Sequence, residues 1–241
     1  MKLTPYDLVI RGGTVIDPST DSSAVADIAV VDGRIADIGP ALSGEARETV
    51  DARGDFVVPG LVDFHVHVYW GATVWGLEPD KIAAAGGTTA FLDTGSAGAI
   101  TLPGFRRYVI DSARTHIRLL VHISTAGLVT SLGELRDPRY LDVEGTARAI
   151  EANRDIALGV KIRYTDGLVG EGDQARAALS AAIEAAERSG TWLMVHIGYT
   201  PEPIGDVLAR LRPGDVITHS YTPNPGGVVS DTSLKLSSCL L

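Results

Sequence analysis

Val57-Val58-Pro59-Gly60-Leu61-Val62-Asp63-Phe64-His65-Val66-His67 is the stretch whose reading decides the fold. It is apolar almost to its end and closes on two histidines. Successive side chains of a strand point to opposite faces, so His65 and His67, two apart, point the same way. Two imidazoles on one face at one strand end make the start of a metal site.

Downstream of this strand, read as Val57–Val68, further strand-like runs recur at Thr88–Asp93, Ile117–Ser124, Ala157–Arg163, Thr191–Ile197 and Asp215–His219. Helical stretches separate them. The clearest is Gln174–Arg188, with apolar Ala175, Ala178, Leu179, Ala182, Ile183 and Ala186 at helical spacing. Alternating strand and helix implies a parallel sheet, either open or closed into a barrel. Six strands are visible, whereas a (β/α)8 barrel has eight and typically ~250 residues. The fold expected is therefore α/β, a partial (β/α)8 TIM barrel of about six strands over residues 59–227, cut off after the sixth.

Upstream, residues 1–58 read as a small β unit of short strands separated by turn chemistry. Leu8-Val9-Ile10 and Thr14-Val15-Ile16 flank Arg11-Gly12-Gly13, read as a turn between two short strands. Asp32-Gly33 between Ile28–Val31 and Arg34–Ile38 is a strong hairpin signal. Residues 228–241 are rich in Ser and lack a clear period. They read as an atypical tail, non-native or frayed.

Composition narrows the function classes. Of 241 residues, 45% are hydrophobic, ample for a large core. Twenty-one Lys and Arg against 30 Asp and Glu give a net charge of -9. An acidic chain without a basic cluster is a poor partner for nucleic acid or anionic membrane. Cys239 is the only cysteine, which excludes an internal disulfide and suits a reducing cytoplasmic compartment. The N-terminus has no apolar signal core, and no apolar run approaches the ~18 residues of a membrane span. The expectation is a soluble, cytoplasmic protein acting on a small molecule, with homo-oligomer formation left open.

His67, Lys161, His196 and His219 fall at or near strand C-terminal ends, which ring one mouth in a β/α barrel. Lys161 lies in the otherwise apolar Leu158-Gly159-Val160-Lys161-Ile162-Arg163, and polar groups that end apolar strands need partners. A metal satisfies them all, since neutral imidazole is a good ligand for Zn²⁺ and similar ions. Each residue has a plainer alternative. An isolated His-x-His is as easily structural, a lone buried lysine is more often an ion-pair partner, and a lone histidine is more often a satisfied core residue. The combination in this order points to a metal site. His122 reads as core or support rather than ligand, and His116 as solvated. Asp93 supports the site or caps a turn. Trp70, Trp75 and Arg163 stand at or after strand ends, as substrate contacts or, equally, as core packing or a salt bridge. Rival motifs fail: Thr94-Gly95-Ser96-Ala97-Gly98 lacks the first glycine of a nucleophile elbow, and there is no P-loop, G-x-G-x-x-G or C-x-x-C.

These residues resemble the amidohydrolase superfamily of metal-dependent hydrolases. Tyr6–Asp17 looks like the opening of its β-sandwich and Val58–His67 like its first barrel strand. The lysine strand and two histidine strands then follow in family order. Val68–Thr73, Ala85–Thr89 and Asp93–Gly98 are most similar to the amidohydrolase/deacetylase group, whose members are often labelled dihydroorotase-like or deaminase-like. The resemblance covers residues 6–227. It implies two divalent metal ions, Zn²⁺ by default, with His65 and His67 on one and His196 and His219 on the other. It implies that Lys161, converted by CO2 to a carbamate, bridges both. A hydroxide between the metals would attack a carbonyl that one metal polarises. The family also uses an aspartate at the end of the eighth strand, which this chain, read as ending earlier, does not reach.

The leading expectation is a binuclear hydrolase of an amide or acetyl-ester bond, deacetylase-like. A cyclic amidase such as a dihydroorotase, or a deaminase, would use the same site. A non-catalytic relative, or a truncated inactive one, acting as an interaction protein is the third reading; the intact set His65, His67, Lys161, His196 and His219 argues against a scaffold, while the missing aspartate argues that the truncated chain is itself inactive.

Overall fold

The computed structural model describes residues 6–130 and 133–228. The tail reading for 228–241 and Cys239 therefore lie, but for Val228, outside the described residues. The chain divides into two compact units between Leu61 and Val62.

The first unit is a single five-stranded sheet. Its strands are β1 (Tyr6–Asp17), β2 (Ser22–Val31), β3 (Arg34–Gly39), β4 (Ala46–Asp51) and β5 (Phe56–Val57). They run in the order β3-β2-β1-β4, with β5 also on β1. Asp32 and Gly33, at φ 51° and 70°, form the tight β2–β3 turn that Asp-Gly favours. The two strands expected around Arg11-Gly12-Gly13 are one. β1 runs through with a register shift between Ile10 and Gly13, and the Asp27 carboxylate accepts the Gly12 N–H at 2.9 Å. A bulge thus replaces the expected turn.

The second unit alternates strand and helix. After β6 (Leu61–Val66) come α1 (Pro79–Gly86), β7 (Thr88–Gly98), α2 (Leu102–Tyr108), β8 (His116–His122) and α3 (Val143–Glu151). Then follow β9 (Ala157–Arg163), α4 (Gly172–Arg188), β10 (Trp192–His196), α5 (Ile204–Arg210) and β11 (Val216–Thr218). The six strands form one curled parallel sheet in the order β11-β10-β9-β8-β7-β6, a half-barrel of the expected fold class. The expected strand Val57–Val68 is split. Pro59, which cannot donate to a ladder, lies in the break, with Val57 paired to β1 and Leu61–Val66 in the larger sheet. β7 is longer than expected and passes through Thr94–Gly98 with a register shift.

Alternation sorts the strand residues by face. Val160 and Ile162, Leu193 and Val195, and Leu119 and Val121 join the main core with the helices. α4 buries Leu179 there together with Ala175, Ala178, Ala182, Ala185 and Ala186, and the alanines let the helix approach its strands closely. The intervening positions, including Leu120, Met194, Lys161 and His122, face the other way. Leu120 and Met194 form a small second cluster with Leu92. The Asp142 carboxylate caps α3 by accepting the Gly145 N–H at 2.7 Å. No helix among the described residues is long and apolar enough to cross a membrane.

Candidate metal centre

Parallel pairing aligns the strand ends and so gathers the polar side chains. In register, Lys161 stands opposite His122 on β8 and Met194 on β10, and His196 stands opposite Arg163 on β9 and Thr218 on β11. The four candidate histidines form a chain of ring contacts. Centroids lie 5.7 Å apart for His65–His67, 4.7 Å for His65–His219 and 4.4 Å for His196–His219. The curl brings together rings from β6 and from the end of β11, the two outermost strands. His219 has φ 70°, a left-handed conformation uncommon for a non-glycine residue and often found at functional positions.

Lys161 is fully buried. Its ammonium donates one bond, to the Thr94 carbonyl at 3.3 Å, although an ammonium carries three donors. Burial, and then the Arg163 charge, push it down to about 7, against the opposing pull of Asp93 and Glu134. Gly95, at φ 89°, makes room for it. A Cβ there would lie 2.7 Å from the Lys161 Cβ and Cγ.

The imidazoles are neutral at physiological pH. Burial, followed by the Lys161 charge, lowers His65 to about 4, His67 to about 3 and His196 to about 2, and lowers His219 for the same reasons. Neutral imidazole is the form that ligates metal. The Nδ1 atoms of His65 and His67 are engaged with hydroxyls, at 2.6 Å from Thr218 Oγ1 and 3.0 Å from Ser96 Oγ. Among the described residues, no three His, Cys, Asp or Glu side chains form a ready-made metal set. The donors present are a string of imidazoles whose fifth member is a lysine. Their chemistry fits a divalent cation, and the under-satisfied Lys161 Nζ fits conversion to an anion.

The remaining expected residues separate. Arg163 lies 4.9 Å above the Trp75 ring and forks onto Glu134 through Nε at 2.6 Å and Nη2 at 2.7 Å. Trp75 in turn sits 6.5 Å from His67, so both belong to the wall of the site. Trp70, more than half exposed, lines a cavity of about 200 Å³ with Glu78, Tyr108 and Val109. His122 is buried, with Nδ1 accepting the Ser124 N–H at 2.9 Å and Nε2 3.5 Å from Glu134. His116 is exposed at the start of β8. Asp93 both caps a turn and supports the site, accepting the N–H groups of Ser96 and Val68 at 2.8 Å each. A cavity of about 670 Å³ opens beside His196 and His219, lined further by Thr218, Tyr221 and Asn224.

Sequence reasoning missed Glu134, Ser96 and Thr218. Glu134 is fully buried, and although burial pushes its carboxyl up, Arg163 and His122 hold it well below the ordinary range. It sits in a loop 29 residues from Arg163, where no local pattern marks it.

No family model matches the chain. A deacetylase of Agrobacterium fabrum is 34% identical over 203 residues, 83% of this chain and 49% of that protein. The crystal structure of a dihydroorotase superposes with a TM-score of 0.84 at 30% identity, covering 91% of this chain and 58% of the other. That of an adenine deaminase gives 0.86 at 29%, covering 97% and 62%. The chain spans about half the length of the curated relatives it matches first. Half-barrel, strand order and these likenesses agree, and the chain belongs to the amidohydrolase superfamily.

Proposed function

We propose that this chain carries the metal-binding portion of a metal-dependent hydrolase that cleaves an amide or acetyl-ester bond of a small polar molecule, with deacetylation as the reaction. The observation that carries this reading is Lys161, buried with one long hydrogen bond among four neutral imidazoles. His65 and His67 would hold one divalent cation and His196 and His219 a second, with Zn²⁺ the ion best suited to imidazole donors. The neutral Lys161 amine would add to CO2, forming an N–C bond and releasing a proton, and the carbamate would bridge the two ions. Bound cations supply Lewis-acid polarisation of the scissile carbonyl and a more acidic water. Around them the chain's own residues orient the reactants. Trp75 and Arg163 wall one side, and the cavity beside His196 and His219 admits the substrate. The single cysteine supports a reducing, cytoplasmic setting.

The likeness to a dihydroorotase and to an adenine deaminase supports a second reading, cyclic-amide hydrolysis or deamination at the same site.

Metal analysis of the purified chain tests the site. The expected result is two divalent ions per chain, lost in Lys161→Ala. A chain that takes up no divalent cation overturns the proposal. Turnover of N-acetyl and O-acetyl compounds against dihydroorotate and adenine separates the two reactions.

A further inference from the structure

Arg163 has one edge engaged and one edge open. A guanidinium carries five N–H donors. Glu134 takes two of them, Nε–H onto Oε1 at 2.6 Å and an Nη2 hydrogen onto Oε2 at 2.7 Å. Among the described residues no acceptor meets the other edge, formed by Nη1 and the second Nη2 hydrogen, and no nitrogen of Arg163 is both buried and unpaired. The side chain is 12% exposed, so the open edge meets free space that holds little water. Charged donors with so little hydration favour a strong acceptor.

The surroundings hold that edge in one orientation. Glu134 is buried, and its loop is pinned by neighbours on either side of the sequence. Leu135 N–H donates to the Leu168 carbonyl at 3.0 Å, and Gln174 Nε2 of α4 donates to the Arg136 carbonyl at 2.8 Å. His122 Nδ1 accepts the Ser124 backbone N–H at 2.9 Å, so the hydrogen of its neutral ring sits on Nε2, which lies 3.5 Å from Glu134 Oε1. The Trp75 ring covers one face of the guanidinium at 4.9 Å. Arg163 follows Lys161 by two residues on β9, hence on the same face of the sheet, and pairs in register with His196 of β10. Trp75 is 6.5 Å from His67. The guanidinium therefore stands among the candidate metal ligands rather than on the outer surface.

We propose that Arg163, held by Glu134, is the specificity-determining residue of this site and takes a carboxylate carried by the substrate, so that the molecules cleaved are acylated acids rather than neutral acyl compounds. Two parallel N–H groups on a fixed planar edge match the two oxygens of a carboxylate, and an ammonium offers no such fork. The assignment of these acids as substrates rests on the function proposed above; carboxylate binding at Arg163 does not.

The test is ¹⁵N NMR of the arginine side chains in the metal-free, 241-residue chain, titrated with N-acetylglycine and N-acetyl-β-alanine and with the neutral primary amide of each. The Arg163 signals are those lost in Arg163→Lys. At least one of the two acids should move the Arg163 Nη signals, and neither amide should. Arg163→Lys, which keeps the charge and loses the fork, should weaken binding of that acid by about tenfold or more and leave amide binding unchanged. The titration of the wild type decides the matter even if the variant fails to fold. If neither acid moves the Arg163 signals, if the amides move them equally, or if a folded Arg163→Lys binds the acid as tightly as the wild type, the inference is overturned. If Arg163 binds the acid but the chain takes up no divalent cation, the hydrolase reading fails and the carboxylate site stands. If the chain takes up two ions but Arg163 ignores both acids, the metal site stands and this inference fails.

Discussion

His65 and Thr218 belong to the first and last strands of a six-stranded sheet, yet His65 Nδ1 and Thr218 Oγ1 lie 2.6 Å apart. Five strand spacings would separate them by roughly 24 Å in a flat sheet. The curl brings them together, aided by the Phe64–Trp192 stack at 5.9 Å. Thr218→Val keeps the shape and removes the bond. The expected cost is about 0.5–1.5 kcal/mol in urea unfolding. An unchanged midpoint would mean that this contact does not help hold the curl.

Gly95 is the second close approach. Its left-handed φ and the 2.7 Å separation between a would-be Cβ and the Lys161 side chain leave alanine no room. Gly95→Ala is expected to destabilise by about 1–3 kcal/mol through backbone strain and overpacking. Because the displaced group is Lys161, metal content should fall along with the midpoint. A variant with normal stability and normal metal content would refute this packing account.

Lys161 itself separates stability from function. Its buried ammonium has one weak acceptor, so Lys161→Met should leave the metal-free chain at least as stable as the wild type. The same variant, like Lys161→Ala, should lose bound divalent ions. Short carboxylic acids added to Lys161→Ala should restore part of the metal content by supplying the missing bridge. Two ions per chain in the untreated alanine variant would remove Lys161 from the centre.

The Glu134–Arg163 pair predicts the opposite sign. Glu134 is fully buried and Arg163 nearly so. Glu134→Ala should cost about 3–5 kcal/mol because it strands a buried guanidinium. Adding Arg163→Met should recover much of that loss, since the unpaired charge is then gone. A double-mutant cycle by chemical denaturation reads the coupling, and additivity would contradict it.

Asp215 ties the start of β10 to the loop before β11, accepting the Leu193 N–H at 2.8 Å and a fork from Arg212. Burial pushes its carboxyl up, but the Arg212 side chain and the two backbone donors outweigh burial and lower it from 3.8. As pH falls through 3.8, the unfolded chain takes the proton first, so the stabilisation is full above that pH and is lost as pH drops through the folded value. Asp215→Asn should therefore cost about 1.5–3 kcal/mol at neutral pH. The gap to the wild type should close in acid, and a gap constant from pH 7 to pH 3 would exclude this linkage.

Much of the larger unit was legible because residue type and alternation coincide there. Lys161 interrupts an apolar strand, and His65 and His67 share a parity, so local pattern alone sets their faces. The misses have a common cause, which is distance along the chain. Arg11-Gly12-Gly13 carries turn chemistry, but Asp27, 15 residues on, takes the Gly12 N–H and keeps β1 whole. The apolar pattern ends the strand at Asp93, whereas β7 runs on to Gly98 with its register against β8 shifted after Thr94, and Ser96 lies in that continuation. Trp70 and Trp75 have equal local claims. Only the fold sets Arg163, 88 residues after Trp75, over the Trp75 ring.

His219 gives the sharpest test that the site is strained for a reason. A left-handed φ of 70° costs a side-chain-bearing residue of order 1 kcal/mol and glycine almost nothing. Glycine also has more freedom to lose on folding, and at an ordinary position alanine is the more stable choice by about 0.5–1 kcal/mol. At position 219 the order should reverse. His219→Gly should exceed His219→Ala by about 1 kcal/mol in denaturant unfolding, while both lose the imidazole and with it divalent-ion binding. If the two variants are equally stable, the left-handed conformation is not a feature of the folded chain. If either keeps two ions, His219 is not a ligand. A glycine variant that gains stability as it loses metal would mean that the chain maintains a costly backbone conformation in order to aim one imidazole at its neighbours His65 and His196.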